Sequence, residues 1–146
     1  SPGEGSELLQ KAAILQILYH LNAELRDPLP RLPDGQLHHQ KLQAVLAYMR
    51  RNYRRKLPLK ELGEVAALSP TYLHRVFSET MGESPLEHLK KLRMEAARDL
   101  LATSDLSASS VALEVGFDNV PYFFTQFRKC TGLTPAAFRE KHRYLP

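Results

Sequence analysis

The 146-residue sequence predicts an all-α protein. Three observations carry this. Apolar residues recur at helical spacings along nearly the whole chain. Helix start signals, a hydroxyl residue followed by proline, stand at Ser69-Pro70, Ser84-Pro85 and Thr134-Pro135, with glycine stops at Gly82 and Gly132. No segment shows the strict alternation of a half-buried strand. The composition, 43% hydrophobic and 25% charged, is that of a globular chain and excludes a mainly disordered one.

Taken in order, residues 7–26 read as an amphipathic helix, with Leu8, Ile14, Leu15, Leu18, Leu21 and Leu25 on its apolar face. The stretch Asp27-Pro28-Leu29-Pro30-Arg31-Leu32-Pro33-Asp34-Gly35 follows, and its prolines and glycine mark the best domain boundary. The apolar face before it must dock on the later domain, pair with another copy, or belong to a missing domain. Leu42, Val45, Leu46 and Met49 define a helix ending near Asn52, and Pro58 precedes a short helix at about 59–67. Ser69-Pro70 opens a helix to about Thr80, and Ser84-Pro85 opens a long one to about Thr103. Asp105 or Ser107 starts a helix at about 108–115; another spans about 120–130, and Thr134-Pro135 opens the last.

The chain contains itself twice. Tyr72, Phe77, Gly82 and Pro85 recur as Tyr122, Phe127, Gly132 and Pro135 at an offset of fifty, and Leu73 recurs as Phe123. Upstream, Leu62-Gly63 aligns with Val111-Ala112 and Leu68 with Phe117 at an offset of forty-nine, so the second copy has one extra residue in its turn. Each copy is a short helix, a tight turn, a second helix and a glycine stop, the outline of a helix-turn-helix.

The second helix of each copy presents two faces. In the first, Leu73, Val76 and Phe77 point one way; Thr71, His74, Arg75 and Ser78 point the other. Hydroxyl, imidazole and guanidinium side by side on a short helix suit the major groove, where arginine pairs bidentately with guanine. A solvated polar face is the plain alternative. In the second copy Phe123 and Phe127 take the core positions, and the outward face is Pro121, Phe124, Thr125 and Arg128. Thr125 suits a base or a phosphate, Arg128 a phosphate, and Phe124 either a thymine methyl or the core. The long helix between the copies, about 18 residues at about 1.5 Å each, spans roughly 27 Å. Recognition helices held so far apart suit major-groove segments about 34 Å apart, with tilt or DNA bending making up the rest.

Charge supports this. Residues 1–40 hold three Lys/Arg and five Asp/Glu, and residues 41–146 hold 17 and 11, so a net charge of +4 is −2 followed by +6. Arg50, Arg51, Arg54, Arg55 and Lys56 form a cluster suited to solvent or phosphate; Lys90, Lys91 and Arg93 suit DNA-flanking contacts, and Arg93 equally a salt bridge bracing the two copies. Other classes find little. Cys130 is the sole cysteine, so a disulfide framework and a cysteine-based zinc site are excluded, and it lacks a base partner for nucleophilic work. His38 and His39 are neighbours on different helix faces, so no metal is expected. No glycine-rich phosphate loop, catalytic constellation, cofactor site, secretory signal or membrane span is read, and a cytoplasmic location is expected. The chain opens Ser-Pro-Gly-Glu-Gly without an initiator methionine, which points to a fragment of a longer protein or a processing scar.

Residues of about 41–144 resemble the paired helix-turn-helix DNA-binding domain of AraC/XylS-type bacterial transcription regulators. The resemblance rests on Val115-Gly116-Phe117-Asp118, Tyr122-Phe123, Phe127-Arg128-Lys129, Gly132, Thr134-Pro135 and Arg139. It extends to Leu68-Ser69-Pro70, Tyr72-Leu73, Arg75, Phe77, Gly82 and Ser84-Pro85, and to Arg93, Ala97 and Leu100-Leu101 of the linking helix. It implies seven helices in two homeodomain-like helical units joined by the long helix. Residues 1–40 then form a leader with an amphipathic linker or dimerisation helix, and 41–146 the DNA-binding domain, divided 41–83, 84–103 and 104–146. It implies that Thr71, His74, Arg75, Pro121 and Thr125 face bases; Ser69, Ser78, Asn119, Phe124, Arg128 and Lys129 are expected at or beside the backbone. Phe124 and Thr125 stand where the family often has serine then arginine, which suggests weak reading by the second helix. Gly63 stands where a small alanine is usual, at about 1 kcal/mol of helix propensity. The expected partners are double-stranded promoter DNA, RNA polymerase, and a second copy through the N-terminal helix or an absent sensor domain. A helical protein-interaction module that contacts RNA polymerase or another regulator and binds DNA weakly is the alternative.

Overall fold

The computed structural model describes residues 9–18 and 34–143. Among these the regular elements are helices: α1 over 9–18, α2 Asp34–Asn52, α3 Leu59–Ala66, α4 Pro70–Met81, α5 Pro85–Thr103, α6 Ala108–Glu114, α7 Val120–Thr131 and α8 Pro135–His142. The described residues divide into two compact units, 9–18, 34–48 and 58–84 in the first, and 49–57 and 85–143 in the second.

Local chemistry sets most helix ends. The side chains of Ser69, Ser107, Asn119 and Thr134 each accept a hydrogen bond from a first-turn backbone N–H, satisfying one of the donors a helix start leaves open. Gly82 and Gly132 stop α4 and α7 in the left-handed conformation, at φ 73° and 77°. No side-chain cap starts α3, which follows Pro58. α2 begins at Asp34, so Asp34 and Gly35 of the expected break lie in its first turn. His38, one turn before Leu42, meets Tyr72 of α4 edge-on with ring centroids 5.7 Å apart, and Tyr72 Oη lies 3.2 Å from His38 Nε2 in a hydrogen bond.

In the first unit Leu42, Val45, Leu46, Leu62, Ala66, Leu68, Leu73, Val76 and Phe77 are buried. In the second, Met94, Ala97 and Leu101 of α5 join Val111, Ala112, Val115, Phe117, Phe123 and Phe127 in one core. The long helix is thus integral to the second unit. Along α1, Leu9, Ile14, Leu15, Ile17 and Leu18 are each more than half exposed, and Gln16 Nε2 donates to Ala67 O. Leu8, Leu21 and Leu25 of the expected amphipathic row, and the prolines of the break, lie outside the described residues.

Candidate nucleic-acid interface

The two copies share a turn as well as helices. Leu68 N donates to Gly63 O at 2.9 Å, and Phe117 N donates to Ala112 O at 2.9 Å. The chain reverses through a positive-φ residue in each, Ala67 at 53° and Gly116 at 106°. The extra residue of the second copy is Asp118, placed between Phe117 and the Asn119 cap.

The turn is tight enough to explain Gly63. A Cβ there would lie 2.6 Å from Leu68 O, a backbone atom that cannot swing aside. In this turn, one residue shorter than the one that follows Ala112 in the second copy, close approach favours glycine, and its low helix propensity is the secondary effect. At Gly116 a Cβ would lie 2.6 Å from Tyr53 O and 2.8 Å from Arg93 Nε, so backbone conformation and space both exclude a side chain.

Each frame aims α4 and α7 with one row buried and one row out. In α4, Leu73, Val76 and Phe77 are buried while Thr71, His74 and Arg75 are exposed. In α7, Phe123 and Phe127 are buried, their centroids 5.6 Å apart, while Pro121, Phe124, Thr125, Arg128 and Lys129 are exposed. Phe124 is 37% exposed and lies edge-on against Phe123 at 5.9 Å, so it rests on the core's rim and keeps a face outward.

Two of the expected backbone contacts have structural employment. Ser69 Oγ accepts from Tyr72 N at 3.2 Å, and Asn119 Oδ1 accepts from Tyr122 N at 2.9 Å. Both sit at the helix start, where exposed N–H groups favour phosphate. Ser78 departs from the outward reading: its Oγ is buried and without a hydrogen-bond partner among the described residues. Helix period placed it at the edge of the outward row, and neighbouring packing covers it.

Thr125 Oγ1 donates to Pro121 O at 3.2 Å, which holds the hydroxyl against its own helix. Arg75 Nε donates to Glu79 Oε1 at 3.1 Å, and both side chains are largely exposed. Glu79 was absent from the sequence-derived face; the i,i+4 spacing was the signal that could have found it. Arg128 and Lys129 carry no ion pair among the described residues.

The other basic residues sort into free and committed. Arg50 and Arg51 are exposed in the last turn of α2. Arg54 Nη1 lies 3.6 Å from Glu114 Oε1, and Lys90 Nζ donates to Glu87 and to Gln126 Oε1. Arg93 donates from Nε to Tyr53 O at 2.7 Å and from Nη2 to Arg55 O at 2.8 Å, with Phe117's ring 5.8 Å away. Burial pulls its pKa below the ordinary arginine value, against the opposing pull of Asp118. Its guanidinium ties the chain after α2 to the second unit's core, a role other than the DNA-flanking contact or salt bridge expected. Arg139 similarly donates to Leu101 O at 3.0 Å and to Leu106 O. Among the described residues no group of three or more His, Cys, Asp or Glu is placed to hold a metal, and no helix is long and apolar enough to cross a membrane.

Known proteins share this arrangement. Residues 62–141 match the helix-turn-helix domain family. The chain is 33% identical over 110 residues to the bifunctional transcriptional activator/DNA repair enzyme AdaA of Bacillus subtilis, covering 75% of this chain and 50% of that protein. The C-terminal domain of AraT, a response regulator from Geobacillus stearothermophilus, superposes with a TM-score of 0.68 at 30% identity, over 72% of this chain and 88% of that one. The DNA-binding domain of the global transcriptional factor AdpA, solved in complex with a target DNA, superposes at 0.66 and 31% identity, over 69% of this chain and 91% of that one. The chain spans half or less of the length of the first curated relatives it matches. It belongs to the helix-turn-helix family of AraC-type DNA-binding domains.

Proposed function

We propose that the chain is the sequence-specific DNA-binding part of a bacterial transcription regulator, without chemistry of its own, working in the cytoplasm at the nucleoid. Its two recognition helices enter successive major-groove segments of a promoter. Thr71, His74 and Arg75 of α4 read base edges; α7 holds mainly backbone through Arg128 and Lys129, with Pro121 and Thr125 toward the bases. The observation that carries this is the doubled frame: in both copies the same caps and turn bury an apolar row and expose the opposite one. The bound DNA of the AdpA domain supports it by likeness.

Fluorescence anisotropy on a labelled promoter duplex, at two salt concentrations, tests the reading. Binding should weaken steeply with salt, log K falling by about 0.9 per phosphate neutralised. No binding to promoter DNA at low salt would sink it. Self-association through the exposed apolar residues of α1 belongs to the same proposal; sedimentation with and without residues 7–26 tests it, and identical masses reject it. Contact with RNA polymerase fits exposed apolar residues such as Leu86 and Leu113, 72% and 58% exposed.

A further inference from the structure

Glu79 has no place in the account so far, and helix stability does not explain it. It stands in the last turn of α4, where the helix end disfavours negative charge. Its pairing with Arg75 runs arginine first, the less favourable order for an i,i+4 ion pair. The pair is also largely exposed, where such pairs add little. The second copy has nothing similar: at the offset of fifty, Thr125 replaces Arg75 and Lys129 replaces Glu79. The pair exists only on the helix with the better set of hydrogen-bonding groups.

Its geometry is specific. Glu79 takes Arg75 Nε alone, at 3.1 Å, and the two terminal nitrogens have no partner among the described residues. Guanine offers O6 and N7 side by side in the major groove, and a guanidinium meets them with two parallel donors. With Nε held, the pair left for guanine is Nη1 and Nη2. We propose that Glu79 is a positioning residue that fixes Arg75 for end-on reading of guanine and determines specificity at that base pair. The inference rests on the proposal that α4 enters the major groove. Two physical effects act together. Holding the side chain removes rotamer freedom before binding, so less is lost on the base. The carboxylate also repels phosphate, which discourages Arg75 from settling on the backbone of the wrong sequence.

The test uses a duplex selected from a randomised pool by the unaltered chain, its set of single G·C-to-A·T variants, and a random-sequence duplex of the same length. One G·C pair is expected to matter at least about tenfold to the unaltered chain and not at all to Arg75→Ala. At that pair Glu79→Ala should discriminate about threefold or less, while binding the random duplex more tightly and with a salt slope steeper by about 0.9. Glu79→Gln, whose amide oxygen still accepts from Nε, should recover part of the discrimination. In the Arg75→Ala background, Glu79→Ala should change nothing at that pair. Full discrimination by Glu79→Ala at a pair that Arg75→Ala abolishes overturns the proposal while leaving α4 as the reading helix. If Arg75→Ala alters no base preference, Arg75 is not a base reader and both readings fall.

Discussion

Gly116→Ala should be the most damaging single-methyl change in the second unit, and the structure gives its size. Gly116 sits at φ 106°, a conformation that disfavours any L side chain by about 1–2 kcal/mol. The added Cβ would lie 2.6 Å from Tyr53 O and 2.8 Å from Arg93 Nε. Those two atoms are the partners of a 2.7 Å hydrogen bond, so the methyl enters against both at once. A bond to a charged group contributes about 1.5–3 kcal/mol, and the lower half of that range suits a half-buried arginine. The expected loss is about 3–4 kcal/mol. Gly132→Ala supplies the control within the same unit: φ is 77°, but nothing lies within 4 Å of the new Cβ, leaving only the backbone cost of about 1 kcal/mol. Thermal melts followed by circular dichroism should therefore separate the two, with Tm lower by about 6–16 °C for Gly116→Ala and about 2–4 °C for Gly132→Ala. Equal losses would show that the collision with Tyr53 and Arg93 relaxes freely and that the turn is not held as described.

Phe127→Ala should destabilise the chain by about 3–5 kcal/mol by opening a cavity between Phe123 and Phe138, whose ring centroids lie 5.6 Å and 5.4 Å from that of Phe127; an unchanged urea midpoint would refute its core placement. Gly63→Ala should destabilise by about 1–3 kcal/mol despite a gain in helix propensity, since its Cβ meets Leu68 O at 2.6 Å. A rise in Tm would mean that propensity, not close approach, governs the site. Arg75→Ala should weaken specific over non-specific DNA binding by about 1–3 kcal/mol; equal weakening on random DNA would make Arg75 a backbone contact only.

What the sequence disclosed follows the range of the forces involved. The starts of α4, α6, α7 and α8 depend on side chains that bond within three residues, so they could be read one turn at a time. The repeat disclosed the turns for the same reason, because equal local patterns give equal bonds. The start of α2 carries no such local signal: it falls on Asp34 and Gly35, and the contact nearest to it joins His38 to Tyr72 across thirty-four residues. Arg93 was misjudged on similar grounds: its partners, Tyr53 and Arg55, lie on a distant stretch and are backbone carbonyls, which carry no sequence signal. Ser78 shows the limit of helical period, which gives a direction but not what stands beside it.

The duplication explains the frame, and the divergence of its outward rows explains why the proposed roles differ. Two helices with the same caps must present their first outward turns alike, so any difference in reading comes from the side chains alone. In α7 the polar choices are few: Thr125's hydroxyl is bonded to its own helix, Phe124 is apolar, and the cations Arg128 and Lys129 lie a turn farther on without acidic partners among the described residues. An unpaired cation gains from any phosphate it meets, whatever the sequence. In α4 the cation lies early in the helix, among Thr71 and His74, and is tied at Nε by Glu79. A tied cation gains less from a passing phosphate and more from a partner that matches its two free donors. Under the proposed roles, grip on one helix and discrimination on the other let a chain with a net charge of only +4 bind DNA without binding all DNA equally. Combining Thr125→Arg with Lys129→Glu should then add a base preference in the second half-site and flatten the salt dependence, since one phosphate-seeking cation is lost; an unchanged base preference would reject the division of roles.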